Sequence, residues 1–262
     1  MIVDFKLKSP LIHSGFDGRG TDGNHTGLRR FPVWHGGIVL EIPALSGNSL
    51  RGKLRRIIMR DLLKRMWANR MLPPPEHDMI YAILANGGLL TGHDATVNTD
   101  RIREIREACP ALSAFGSAMQ KWMLEGTAKI GICWPVLLET GQLTGRVSKQ
   151  SLATVEADIG HVRLPDKGRR DMKDQKPMPH TFETILAGTT LTSEIIFAST
   201  ATDLERSCIA WGLDRVRALG AKGAVGMGRC KTTHDGDSRP WQEWLDNGKN
   251  IAVCEQMCMS IA

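Results

Sequence analysis

Residues 37–66 restrict this chain more than any other stretch. The run GIVLEIP reads as a strand, ALSGN as a tight turn, and SLRGKLRR as the start of a helix dense in arginine and lysine. Ser46, Gly47, Asn48 and Ser49 are turn and N-cap residues, which leave backbone N–H groups pointing forward from the helix start. Those donors, the helix dipole and the side chains of Arg51, Lys53 and Arg55 together suit phosphate. No GxxxxGK[ST] run is present, so the expected ligand is a polymer of phosphates and not a nucleoside triphosphate. The alternative is an ordinary amphipathic helix with a solvated basic face.

The balance of charge favours an anionic partner. Net charge is +6, and it is unevenly spread. Arg51, Lys53, Arg55, Arg56, Arg60, Lys64, Arg65 and Arg70 face only Asp61 within their stretch. A second cluster, Arg163, Lys167, Arg169, Arg170, Lys173 and Lys176, is diluted by Asp166, Asp171 and Asp174. Such runs are commonly solvated faces, but two of them beside glycine-rich turns point to nucleic acid.

Six cysteines stand far apart with no CxxC. Cys254 and Cys258 can share a helix face, but no histidine is close in sequence, so no zinc site and no cofactor is expected. Reduced, buried thiols in a cytoplasmic protein are the expectation. MIVDFKLKSP has no apolar core or cleavage site of a signal peptide. No apolar run approaches the roughly 20 residues that span a bilayer, so no membrane partner is expected.

Val3, Phe5 and Leu7 alternate with Asp4, Lys6 and Lys8 as in a half-buried strand. Ser14–Gly37 is a long glycine-rich and polar loop, a length associated with function or disorder. After the strand Gly37–Ile42, the stripe Leu50, Leu54, Ile57, Ile58, Leu62 and Met66 predicts a helix that Pro73–Pro75 stops. Residues 76–125 read as helical and connective, with Asp100 as the N-cap of IREIREAC, Pro110 ending that helix, and ALSAFGSAM after it. TAKIGICWPVLL alternates as a strand, Glu139–Pro179 projects from the core, and HTFETILAGTTLTSEIIF is strand broken at Ala187-Gly188. A helix over Leu204–Leu219, the glycine turn GAKGAVGMGR, a strand near Arg229–Thr233 and a helical end from Pro240 complete the chain.

Without its insertions this order is β-α-β-β-α-β. It predicts an α+β class, a ferredoxin-like or modified RNA-recognition-motif domain over 1–262. The insertions fall at 14–36 (long loop), 70–126 (helical) and 139–180. Aromatic content of 5% and a single tyrosine, with no RNP1 pattern, argue against base stacking on the sheet. Backbone recognition by glycine loops and cations fits better. Gly220, Gly223, Gly226 and Gly228, with Lys222 and Arg229, follow a helix and precede a strand, the reverse of a dinucleotide-binding turn. Glycines so spaced let backbone amides approach a sugar-phosphate chain; a plain loop is the alternative.

LIHSG after the first strand, IPALSGNSLRGKLRR, ALSAFGSA, FETILAGTTLTSEI and GAKGAVGMGR together resemble the RAMP superfamily of CRISPR-associated proteins. Within it they are similar to the "Cas-seven" backbone subunits that polymerise along a guide RNA, with LRRFPV and SGNSLRG closer to type IV than to type III forms. The resemblance runs from about Lys6 to Lys231. It implies a hand-shaped protein whose palm is the modified RNA-recognition motif and whose thumb hairpin inserts between guide and target. Here 139–180 is the thumb candidate, with Met178 as an apolar wedge and Arg169 and Arg170 on nearby phosphates. A surface loop with an incidental methionine is the alternative for Met178.

In type III relatives an aspartate in the first loop cuts target RNA, in a pattern ending Asp-x-Pro-Val. This chain has Arg30-Phe31-Pro32-Val33, and arginine cannot act as the acid or ligate a metal, though it can hold a phosphate. Asp17 and Asp22 lie in the same loop as substitutes. The resemblance therefore implies a non-enzymatic subunit that binds guide RNA (crRNA), copies of itself head to tail, other effector subunits and a complementary DNA or RNA target. Its expected RNA-binding set is His13, Arg29, Arg30, Ser46, Gly47, Asn48, Ser49, Arg51, Lys53, Arg55, Arg169, Arg170, Met178, Lys222, Gly223, Gly226, Gly228 and Arg229. Two rivals stand beside it. One is a ribonuclease that processes the guide precursor, with His25 and Arg29 as base and cation among the candidates His13, His25 and His35. The other is a guide-independent binder of single strands.

Overall fold

Alternation of apolar and polar residues in the first strand puts Val3, Phe5 and Leu7 into the core, where all three are buried. The computed structural model describes residues 1–14, 21–22, 25–67, 74–90, 99–120, 122–163 and 178–261. In chain order these contain β1 (Ile2–Leu7), β2 (Thr21–Asp22), β3 (His25–Thr26), β4 (Arg30–His35), β5 (Ile38–Pro43) and α1 (Gly47–Met66). Next come α2 (Pro74–Tyr81), which runs into a π-turn at Ala82–Asn86, β6 (Gly88–Leu90), α3 (Thr99–Ala108), α4 (Pro110–Phe115), β7 (Gly116–Gln120) and β8 (Trp122–Glu125). β9 (Ala128–Ile130), β10 (Trp134–Pro135), α5 (Gly141–Thr144), β11 (Glu156–Arg163), β12 (Met178–Ile185) and β13 (Thr190–Phe197) follow. α6 (Asp203–Leu213), β14 (Cys230–His234), α7 (Arg239–Asp246) and α8 (Gly248–Ile261) close the chain.

The central sheet has the order β10-β13-β1-β14, with β9 also on β13, and every pairing is antiparallel. β9 and β10 are one interrupted strand. The sheet is therefore built from β1, β9/β10, β13 and β14, with α1 and α6 as its crossover helices: the β-α-β-β-α-β plan that the sequence order predicts. α1 buries Leu50, Leu54, Ile58 and Leu62 against the same core that holds β1, Ile209 and Trp211. Each such side chain contributes about 1.5–3 kcal/mol of burial. Ile57, expected in that stripe, is only partly buried.

Several expectations are corrected. The 14–36 stretch is not only loop: Arg30–His35 pairs through six registers with Ile38–Pro43 around Gly36 and Gly37, whose φ values are +58° and +90°. Positive φ at both turn residues matches the twist of a two-residue hairpin, so GG was the readable sign. This hairpin is its own two-stranded sheet, so the strand before α1 does not belong to the palm. The 70–126 insertion carries a three-stranded sheet, β6-β7-β8, among its helices. Asp100 lies inside the first turn of α3, which begins at Thr99. α6 ends at Leu213, six residues before the expected Leu219; its start is fixed by a capping box of Thr202 and Glu205.

Within 139–180, Gly141–Thr144 forms α5, and β11 pairs with β12, which runs on to Ile185, from Glu156↔Ile185 to Arg163↔Met178. β3, from the first long loop, pairs parallel with β12 and carries β2 at its edge. Two insertions far apart in sequence thus make one four-stranded sheet. No helix among the described residues is long and apolar enough to cross a membrane.

Candidate nucleic-acid interface

Three sequence-predicted segments meet along Ser9–His13, the stretch that leaves β1. The glycine loop docks there first. Arg229 donates its backbone N–H to Ser9 Oγ (2.8 Å), which donates to the Gly226 carbonyl (2.7 Å). Gly228 N–H reaches the Pro10 carbonyl at 2.7 Å and Ala221 N–H the Ile12 carbonyl at 2.9 Å. His13 then links the other two segments: its carbonyl accepts from Arg29 N–H (2.7 Å) and its Nε2 accepts from Ser46 N–H at 3.3 Å, at the head of α1. Burial, and after it the Arg29 charge, lower the His13 pKa below 6.5, which favours the neutral ring that this acceptor role requires.

The head of α1 is built as expected in one respect and differently in another. Ser46 is the N-cap, its hydroxyl accepting from Ser49 N–H at 3.3 Å. Gly47 is a packing residue: a Cβ there would stand 2.2 Å from the Ile130 carbonyl oxygen, so only glycine lets the helix start rest on β9. Asn48 is exposed and Ser49 half-buried, so these two form the open part of the helix start.

The cations of α1 divide by direction. Arg55 is corrected: it is 6% exposed, and its guanidinium donates to the carbonyls of Leu84 (2.6 Å) and Ile83 (3.0 Å) within the π-turn. Burial, helped by Arg51, pushes its pKa down to about 10, and no carboxylate pairs with it among the described residues. Arg51 is tied to the Phe115 carbonyl at the end of α4. Lys53 turns outward. Its charge acts on Cys230 at the foot of the glycine loop, and it opens a groove of about 410 Å³ lined also by Arg56, Ile57, Arg60, Lys64, Trp211, Arg215 and one acid, Asp61, which is paired with Arg65. Lys53, Arg56, Arg60 and Lys64 have no ion pair among the described residues. They stand at i, i+3, i+7 and i+11, a row of roughly 16 Å along the helix. The spacing was legible in the sequence; that α6 would wall the groove, with Arg215 stacked 3.5 Å above the Trp211 ring, was not.

Arg30 is also corrected. Its two terminal nitrogens meet both oxygens of Glu156 at 3.0 and 2.9 Å, and one of them reaches Glu183 at 3.2 Å. It is a clamp between β4 and the β11–β12 ribbon, not a free phosphate ligand. Burial raises the Glu183 pKa, but the Leu28 N–H and Arg30 outweigh it and hold the carboxyl below its usual range. Beside this clamp, His25 Nε2 lies 3.6 Å from Asp158 Oδ1, and His25, Asp158 and Glu183 bring ligand atoms within 4.8 Å of one another. Arg29, by contrast, has no carboxylate partner among the described residues and lies over the Phe31 ring at 5.3 Å.

In the glycine loop, Lys222, Gly223 and Arg229 are exposed. Lys222 adopts φ +54° and holds its ammonium 4.0 Å over the Phe182 ring of β12. Beneath it lies an apolar cavity of about 240 Å³ lined by Ile12, Ile159, Phe182, Ala224, Val225 and Met227, which no sequence motif announced. Gly228 is buried with φ +70°, where a Cβ would meet the Leu219 carbonyl oxygen at 1.9 Å, so it serves packing; Gly223 and Gly226 have open space around them. Met178 is the first residue of β12, paired with Arg163. Arg169, Arg170 and Asp17 lie outside the described residues, and of Asp22 only the backbone is described.

The chain matches a chain of a Type IV-B CRISPR complex with a TM-score of 0.62 at 20% identity, over 94% of this chain and 98% of the other. It has the fold of that subunit. A chain in the cryo-EM structure of the Type III-B Cmr-beta complex bound to cognate target RNA matches at a TM-score of 0.49 and 14% identity, over 89% of this chain and 58% of that one. No family model and no curated protein matches the sequence. The α+β palm predicted from element order is therefore found both in the topology and in the Type IV-B chain that shares it.

Proposed function

We propose that the protein is a backbone subunit of a CRISPR ribonucleoprotein effector, holding guide RNA (crRNA) by its sugar-phosphate chain and assembling on it head to tail. The carrying observation is the meeting of the glycine loop, the head of α1 and Arg29 along Ser9–His13. The near end-to-end match to a Type IV-B chain supports the same reading. In it, Asn48, Ser49, Lys53, Lys222, Arg229 and Arg29 contact phosphate, and the groove from Lys53 to Lys64 extends the track. Bases remain free to pair with a DNA or RNA target, so sequence is read by pairing and not by the protein.

Assembly has its own support. Trp34 and Val39, paired across the β4–β5 hairpin near its tip, are 67% and 59% exposed on one face, with Ile38 58% exposed on the other, apolar surface suited to burial against a second copy. A heterologous contact of this kind repeats until the RNA ends. The reading includes no target cleavage, because Arg30 stands where the acid would be and is bound to Glu156 and Glu183. Metal-dependent cleavage of complementary RNA, lost in Asp22→Ala, would overturn that part.

The test is to express the protein with a cognate repeat–spacer transcript and run the RNA extracted from the purified complex on a denaturing gel. A discrete band of one length in a large particle is the expected result. A smear of lengths instead indicates a guide-independent single-strand binder. One observation favours a second reading: His25 lies 3.6 Å from Asp158 and close to Glu183, a grouping that offers a base for proton transfer. An empty monomer that trims added repeat RNA, and loses that activity in His25→Ala, would establish this processing ribonuclease.

A further inference from the structure

Cys254 and Cys258 are one helical turn apart on α8, so their side chains share a face. The sequence leaves that pair without a partner. The fold supplies one: Cys109, the N-cap residue of α4, brings its Sγ to the same point, and the three sulfurs all lie within 4.8 Å of one another. All three are buried, at 0%, 0% and 1% exposure. Single buried cysteines are ordinary small core residues. Three sulfurs converging from two separate elements, at a spacing near that of a thiolate metal centre, are a different arrangement.

We propose that Cys109, Cys254 and Cys258 form a site for one soft, thiophilic d10 cation, with zinc(II) as the probe. Zinc–sulfur bonds of about 2.3 Å in tetrahedral geometry put sulfurs roughly 3.8 Å apart, so thiols within 4.8 Å need at most about 1 Å of closure, and a neutral water takes the fourth position. Thiolate donors select such cations over calcium or magnesium. The charge also balances. Binding releases three thiol protons to solvent and leaves a centre of charge −1. Arg55, buried nearby, interacts electrostatically with Cys109 and has no carboxylate partner among the described residues. A buried guanidinium held only by carbonyls keeps an unbalanced charge, and an anionic metal-thiolate centre compensates it.

The site has a structural role. α8 packs on α1 and α3, while Cys109 sits between α3 and α4, so the cation ties the C-terminal helix to the 99–115 helices and to the palm. It owes nothing to the nucleic-acid reading and stands whether or not RNA binds.

The experiment strips the full chain with a chelator under reducing conditions and titrates it with zinc(II), following bound metal and the unfolding midpoint. One equivalent bound per chain with a raised midpoint is expected. Cobalt(II) added to the same stripped chain should give a near-ultraviolet thiolate charge-transfer band, a readout that requires no variant. Cys258→Ser should lose both the zinc equivalent and the band, while Cys133→Ser, a buried thiol elsewhere in the core, should keep both. Absence of zinc uptake and of the cobalt band in the native chain overturns the proposal. So does retention of the full equivalent in Cys258→Ser. Formation of a disulfide from Cys109 in a chain that takes up no metal assigns the cluster to redox chemistry instead.

Discussion

The two sides of α1 carry the same kind of residue to opposite uses. On the inward side Arg51 and Arg55 point their guanidinium groups at backbone carbonyls of Phe115, Ile83 and Leu84. On the outward side Lys53, Arg56, Arg60 and Lys64 line an open groove, free of ion pairs among the described residues. All six belong to one basic run of the sequence. What separates them is the angle about the helix axis relative to a core whose far wall, the 82–86 π-turn and α4, comes from elsewhere in the chain. A cation in a basic run is thus available to a ligand only where nothing else in the fold claims it.

The largest test of that contrast is Arg55→Ala. It takes the guanidinium donor from the buried Leu84 carbonyl and leaves the Ile83 carbonyl with the Ser117 hydroxyl alone, so denaturant unfolding should show a loss of about 1–3 kcal/mol. An unchanged midpoint would return Arg55 to the surface set. Arg30→Ala comes next: loss of the Glu156 and Glu183 bonds should lower stability by about 1–2 kcal/mol, with charge-assisted bonds the strongest of their kind. On the outward side, Arg60→Ala should leave the unfolding midpoint within about 0.5 kcal/mol of wild type. On the proposed reading it should weaken RNA binding equally for unrelated sequences, measured by filter binding. A base-specific loss would count against a backbone contact.

The smallest effect concerns His13. Its folded pKa lies below the ordinary 6.5, so as pH falls the unfolded chain takes the proton first. Its contribution to stability is full above about 6.5 and is lost as pH falls through the lower folded value. His13→Gln should flatten that part of the stability profile, which a series of urea titrations across pH would reveal.

Legibility in the sequence followed the range of the interactions. The palm could be read because Val3, Phe5 and Leu7 and the α1 stripe are local patterns of fixed period, whereas the Thr202–Glu205 box, equally local, was not read. The Ser46 cap was readable for the same reason. The β4–β5 hairpin was missed although Gly36-Gly37 announced it, because the surrounding glycines made the whole stretch read as loop. The fate of Arg30 depended on Glu156 and Glu183, more than 120 residues away, and that of Arg55 on carbonyls 28 and 29 residues away. No local pattern encodes such partners. The pairing of β3 with β12, the Phe182–Lys222 cavity and the approach of Cys109 to Cys254 are of the same long-range kind.

The most direct measurement is the salt dependence of guide RNA affinity for wild type and for the triple variant Lys53→Ala, Lys222→Ala, Arg229→Ala. Each lost contact to a single-stranded phosphate should reduce the slope of log affinity against log salt by about 0.7, roughly 2 in all, identically for two unrelated guide sequences. An unchanged slope, or a loss confined to one sequence, would contradict a backbone-holding site where the glycine loop meets the head of α1.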